Sequence, residues 1–222
     1  MNPGPTRALV TALALSVVAC TSNTVVSQPS SEGTPTPAPT DAPEQPAPTP
    51  GQAAYPGGPY GNAVGSVLGD FELVGYRRND TNGLATAAGL APLKLSEVRA
   101  NAGEVKYAVL HVSAFWCGIC RAAVEDMVAQ YPKLAKKAIF VDLLVEGKTP
   151  SDFATQPNLD SWVKGLSIPY TVGRDPDGVE WRIRSQVGKN KTALLVELST
   201  MKVLAKSATD YSEVLEKLEA AP

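Results

Sequence analysis

The chain has 222 residues, with 20 Lys and Arg against 22 Asp and Glu and a formal net charge of −2, so neither nucleic acid nor an anionic membrane surface is an expected electrostatic partner. The first 60 residues contain no Trp or Phe, so the packed core must come from the rest, which is enough for one domain of ordinary size. Three cysteines argue against a disulfide-stapled scaffold, and a single histidine, His111, argues against a four-ligand zinc site. The arithmetic favours one reactive pair and one cysteine with a separate fate.

Residues 1–19 read as an export signal. Arg7 gives a weak positive start, and residues 8–19 are almost wholly apolar, too few to span a bilayer as a helix. The stretch ends Val17-Val18-Ala19-Cys20, which resembles the bacterial lipoprotein signal box, where cleavage precedes the cysteine and lipid is attached to it. The alternative is an ordinary signal peptide with an incidental cysteine. Residues 20–60 form a linker that holds ten of the nineteen prolines among Ser, Thr, Ala and Gln. It lacks the apolar area to offset ordering and is expected to stay extended or disordered, reaching ~100 Å as polyproline-like coil. Tyr55-Pro56-Gly57-Gly58-Pro59-Tyr60-Gly61 is a turn-rich lead into the folded part, residues 61–222.

Within that part, residues 71–74 alternate like a short strand. Ser96 could cap a short helix running from Glu97 towards Asn101. Residues 105–113 (VKYAVLHVS) are β-branched and apolar, a clear strand. Residues 121–131 have helical spacing, with Val124, Met127, Val128 and Tyr131 on one face. Residues 138–145 (AIFVDLLV) predict a second central strand, and 158–164 a helix stopped by Gly165. Ile168-Pro169-Tyr170-Thr171 reads as a further strand. Asp175-Pro176-Asp177-Gly178 is a turn, and 180–186 a short helix. Residues 192–198 and 202–206 predict a hairpin around Ser199-Thr200-Met201, and 211–218 an amphipathic closing helix. Strands separated by helices argue for an α/β sandwich around a central mixed β-sheet.

Cys117 and Cys120 lie where a buried strand gives way to a helix. Such a position aims backbone N–H groups and the positive end of the helix dipole at the first sulfur. The thiolate, which is the nucleophile, is stabilised there. One turn of helix brings Cys120 back beneath Cys117, close enough for a disulfide to form and break. Arg121 adds a nearby positive charge, or is only a solvated helix residue.

Ala114-Phe115-Trp116-Cys117-Gly118-Ile119-Cys120-Arg121 resembles the active-site stretch of the thioredoxin-like superfamily, and over about residues 65–222 the chain looks most like its exported, membrane-anchored branch of thiol–disulfide oxidoreductases. The resemblance implies a thioredoxin-like fold, Cys117 as attacking thiol, Cys120 as resolving thiol and Trp116 as flanking aromatic. His111, six residues before Cys117, stands where thioredoxins carry a buried acid that shuttles protons. An imidazole there could relay the proton of the resolving cysteine, or be a strand histidine satisfied by a backbone carbonyl.

Three departures from the family pattern matter. Ile119 stands where proline or histidine is common, which leaves the direction of electron flow open. The acidic residue often found three places after the second cysteine in the anchored branch is Ala123. The substrate-docking loop, which in the family carries a cis-proline facing the cysteine pair, should end at Lys191-Thr192, yet Lys189-Asn190-Lys191 contains no proline. Pro169 is the alternative place for it.

The resemblance implies an enzyme that exchanges disulfides of exported proteins or small thiols. Its partners are disulfide or dithiol substrates, and a membrane through lipid on Cys20. No cofactor or metal is expected, and a monomer in the bacterial cell envelope is, on its periplasmic or outer-membrane side. A non-catalytic binding module with a structural disulfide is the competing reading. A metal carrier fits less well, because the anchored copper-delivery relatives space their cysteines one residue wider and add a downstream histidine, and none follows Cys120. A peroxidase is disfavoured, since Ala114 and Leu110 replace the Thr and Pro expected before a peroxidatic cysteine.

Overall fold

A computed structural model describes residues 54–77, 89–179 and 181–222. The export signal, Cys20, the linker as far as residue 53, and Glu180 lie outside the described residues. The chain runs β1 (Glu72–Tyr76), β2 (Leu90–Lys94), α1 (Leu95–Ala100), β3 (Tyr107–Ala114), α2 (Gly118–Leu134), β4 (Ala138–Glu146), α3 (Gln156–Leu166), β5 (Thr171–Arg174), α4 (Arg182–Gln186), β6 (Ala193–Glu197), β7 (Lys202–Ser207) and α5 (Ser212–Ala220). The strands form one seven-stranded sheet in the order β2-β1-β5-β4-β3-β6-β7. The pairs β3·β4 and β4·β5 are parallel and the others antiparallel, so the sheet is mixed as expected.

Strand periodicity divides the core in two. Tyr107 and Val109 of β3 face one layer with Phe140 and Leu144 of β4, covered by Val124 and Met127 of α2, Trp162 of α3 and Leu215 of α5. Ala108, Leu110 and Val112 face the other layer, with Val141 and Leu143, covered by Leu95, Ile183 and the segment Val67 to Phe71. Each fully buried Leu or Phe contributes on the order of 2 kcal/mol. The lead before residue 61 packs too: Tyr55 lies against the second layer and donates its hydroxyl to the Leu68 carbonyl at 2.8 Å.

Several local expectations are corrected. Ser96 does not cap α1; the helix starts at Leu95, and the Ser96 N–H donates to the Asp70 carboxylate at 3.0 Å. Gly165 does not stop α3, which runs through it to Leu166. The left-handed terminating residue is Ser167, at φ 51°. Strand β2 went unforeseen because it contains Pro92; as the edge strand it bonds on one side only, where a missing N–H is tolerated. Strand β5 begins at Thr171, so Ile168, Pro169 and Tyr170 precede it.

Gly75 of β1 faces Gly173 of β5 across the sheet, and a Cβ on Gly75 would lie 2.2 Å from the Val172 carbonyl oxygen. Backbone on the far side cannot yield as a side chain could. Gly75→Ala is therefore expected to destabilise the fold by about 3 kcal/mol. Urea denaturation checks this, as a lowered midpoint at unchanged slope.

Candidate active site

The cysteine pair is built by the junction of β3 and α2. Phe115 N–H donates to the Glu146 carbonyl (2.9 Å) and Cys117 N–H to the Ala114 carbonyl (3.0 Å), which turns the chain off the sheet. Cys117 is the N-cap of α2, and its Sγ accepts the Cys120 N–H at 3.1 Å. The two residues form a disulfide with Cα atoms 5.2 Å apart. That N–H and the N-terminal end of α2 both face Cys117 Sγ, an arrangement of the kind that favours a thiolate. Cys120 is fully buried and Cys117 is 3% exposed, so a partner reaches the first sulfur only along a defined approach.

Trp116 stands beside that approach, 41% exposed, and its indole N–H donates to Glu146 Oε2 at 2.6 Å. Glu146, the buried last residue of β4, also accepts from Arg184 at 2.9 Å through Oε1. The Arg184 guanidinium in turn lies 4.2 Å over the Trp181 ring, which packs on Phe153. The flanking aromatic is thus fixed by a carboxylate that is itself held by a stacked arginine. The Arg121 guanidinium is not simply solvated but lies 5.0 Å from the centre of the buried Trp162 ring.

His111 points into the α2/α3 layer and is buried. Its Nδ1 is 3.0 Å from Asp142 Oδ1 on the neighbouring strand, so its ring partner is a carboxylate rather than a backbone carbonyl. Ser113 Oγ donates to the same oxygen at 2.6 Å, and the Trp162 indole N–H donates to Oδ2 at 2.7 Å. Nδ1 also lies 3.1 Å from Ser113 Oγ, so this ring nitrogen is held by the cluster and Nε2 is left outside it.

Two adjoining clefts, which share Ile119 and Lys191, flank the cysteine pair. One, of about 490 Å³, is lined by Trp116, Cys117, Ile119 and the loop from Gly188 to Thr192. The other, of about 230 Å³, is lined by His111, Cys120, Lys191, Asp210 and Tyr211 among others. Burial, together with the hydrogen bond to Asp126, pushes the Tyr211 phenol up, so it is neutral at physiological pH. Hydrogen bonds from Ser212 hold Asp210 below the usual carboxylate range, so it is charged there.

The sequence-predicted residues Trp116, Cys117, Cys120, His111, Lys191 and Thr192 are brought together around these clefts. Pro169 is not. Thr171 is level with Val141, and Glu146 with Ala114, so Pro169, which precedes β5, lies towards the opposite end of the parallel strands from Cys117. Among the described residues the sole cis peptide precedes Pro59, so Pro169 is not the cis residue. Lys191 stands before Thr192 in the left-handed region at φ 75°. It is held there by its N–H to the Val112 carbonyl (2.7 Å), while Val112 N–H donates to the Thr192 carbonyl (2.8 Å). Asp142, Glu146 and Arg184 were missed by sequence reasoning. The first two carried a signal, since each is an acid within or closing the apolar run AIFVDLLVE.

Replacing Glu146 with Ala strands the Trp116 indole N–H and the Arg184 guanidinium. The expected cost is about 2 kcal/mol, read as a fall in the thermal midpoint, with Glu146→Gln recovering part of it because the amide oxygen still accepts from Trp116.

No family model matches the chain, and no curated protein matches it in sequence. Solved structures do match in shape. A protein assigned as the thiol:disulfide interchange protein DsbE of Chlorobium tepidum is 22% identical, with a TM-score of 0.50 over 72% of this chain and 96% of that one. The thioredoxin domain of a thiol-disulfide oxidoreductase from Bacteroides vulgatus is 13% identical, with a TM-score of 0.51 over 70% and 98%. A reduced 2-Cys peroxiredoxin from Plasmodium vivax is 12% identical, with a TM-score of 0.51 over 71% and 94%. At such identities the likeness establishes architecture, and the architecture of this chain is thioredoxin-like.

Proposed function

We propose that the protein is a thiol–disulfide oxidoreductase working through Cys117 and Cys120. The observation that carries this reading is the disulfide at the first turn of α2, with the Cys117 side opening into a cleft of about 490 Å³. In the reducing direction, the Cys117 thiolate attacks one sulfur of a substrate disulfide. A bond from Cys117 to substrate forms, the substrate S–S bond breaks, and the departing thiolate takes up a proton. Cys120 then gives its proton to a base and attacks Cys117 Sγ. This closes the Cys117–Cys120 bond and releases the second substrate thiol, so the substrate gains two electrons and two protons. Oxidation of a dithiol is the same path reversed.

His111 is the proposed base for Cys120. It lines the smaller cleft together with Cys120, and Asp142 holds its tautomer and steadies the imidazolium that forms. Trp116 flanks the attack, and Lys191 with Thr192 forms the opposing wall that meets substrate backbone.

Insulin reduction, coupled to a chemical reductant, tests the main reading: turnover is expected for the full chain and background rates for Cys117→Ser. A redox titration separates the competing reading, because a structural disulfide predicts a very low potential with no turnover. His111→Ala and Asp142→Asn are expected to change the pH dependence of exchange, and an unchanged profile in both retires the relay. Export and lipidation at Cys20 complete the proposal, with the protein acting as a monomer in the bacterial cell envelope. Cys20→Ser is expected to move it from the membrane fraction to the soluble fraction; retention in the membrane fraction would count against the anchor.

A further inference from the structure

The cleft over Cys117 carries charge of one sign. Trp116 and Ile119, 41% and 64% exposed, give it an apolar wall. Lys189, Lys191 and Lys206 supply its ionic groups, and no Asp or Glu lines it, although the chain as a whole is net negative. The Lys206 ammonium is tethered at 2.6 Å by the Asn62 side-chain oxygen, a neutral acceptor that orients the charge without cancelling it. Among the described residues neither Lys189 nor Lys191 makes an ion pair. The charged Asp210 lines only the neighbouring cleft, which it shares with Lys191 and where its Oδ1 accepts from Ser212, so Lys189 and Lys206 are the cations exclusive to the cleft over Cys117.

The lysine-bearing loop is also fixed. Lys191 N–H donates to Val112, and Thr192 N–H to Lys189. Gly188, at φ 144°, lies so close to the Thr192 side chain that a Cβ would fall 2.6 Å from its Oγ1. Cations presented on a rigid frame around a small apolar floor act on what enters before any chemistry occurs.

Resting on the exchange activity proposed above, we infer that this cleft selects disulfides carried in acidic, extended polypeptide segments. The carboxylates flanking the substrate cysteine meet Lys189, Lys191 and Lys206, while an apolar side chain lies on Trp116 and Ile119. A cleft of about 490 Å³ walled by the α2 start, the 188–192 loop and the region of Lys206 and Ala208 suits a few residues of extended chain.

The test uses reduced full-length protein and three otherwise identical peptides. Each has one cysteine activated as a 2-pyridyl disulfide and flanked by Glu, Gln or Lys. Cys117 thiolate attacks the peptide sulfur, the bond to the pyridyl sulfur breaks, and pyridine-2-thione leaves with the electron pair and takes up a proton, giving an absorbance signal. At low ionic strength the Glu peptide is expected to react about tenfold faster than the Lys peptide. The ratio should fall to about twofold or less in 0.5 M salt, where the Debye length is only a few ångströms. The pair K189E/K206E should bring the ratio to one or invert it.

Equal rates for the three peptides at low salt, or a preference that survives both salt and K189E/K206E, overturns the inference while leaving the exchange activity standing. Failure of all three to react removes the exchange activity instead. Fluorescence anisotropy of cysteine-free Glu and Lys peptides then decides the cleft alone: tighter binding of the Glu peptide, lost in K189E/K206E, upholds it, and equal binding overturns it.

Discussion

The Asp142 carboxylate is the knot beneath the redox centre. It is fully buried on a central strand, and its partners come from β3 through His111 and Ser113 and from α3 through Trp162. A charge buried without such partners would cost several kcal/mol. Once they are in place, the same bonds join β3, β4 and α3 directly below the turn that carries the cysteines. The sheet therefore gives the disulfide a rigid base, and Trp162 passes that rigidity to α2 through its contact with Arg121.

A second buried acid plays a comparable part at the rim. Glu146 ends β4 where Ala114 ends β3, and it ties Trp116 to Arg184. Its backbone carbonyl also takes the Phe115 N–H, so one residue sets both the path of the chain into α2 and the orientation of the exposed indole. The two acids sit on the same strand, four residues apart, with an irregularity in the β3·β4 register between them. One gathers His111, Ser113 and Trp162 in the interior, and the other gathers Trp116 and Arg184 at the rim.

Elements with a strong local signature were legible in the sequence. The β-branched run before the cysteines, the helical spacing after them and the apolar run of β4 each specify a buried period that tertiary contacts have no reason to override. Residues whose role depends on a distant partner were not. Nothing local marks Asp142 as the companion of His111, because the pairing arises from a parallel register between strands separated by a whole helix. The Asp70 carboxylate at the head of α1 is another such case, 26 residues away from the N–H it accepts. Pro169 was legible only in part. The string around it reads as a strand, and only Thr171 joins β5, while strand direction carries Pro169, the alternative place for the docking proline, away from the cysteines. The loop that does face the cysteines reaches its shape with Lys191 in a left-handed conformation rather than with an imide bond.

The disulfide lies between two openings, with Cys117 on the larger and Cys120 on the smaller. The two clefts adjoin, sharing Ile119 and Lys191, but a macromolecule seated on the first would cover Trp116 and Cys117, whereas His111 and Tyr211 line only the second. In the exchange proposed for this pair, hydrons and bulky reactants would then use separate openings. On that proposal a bound partner would not have to let go before the resolving cysteine gives up its hydrogen.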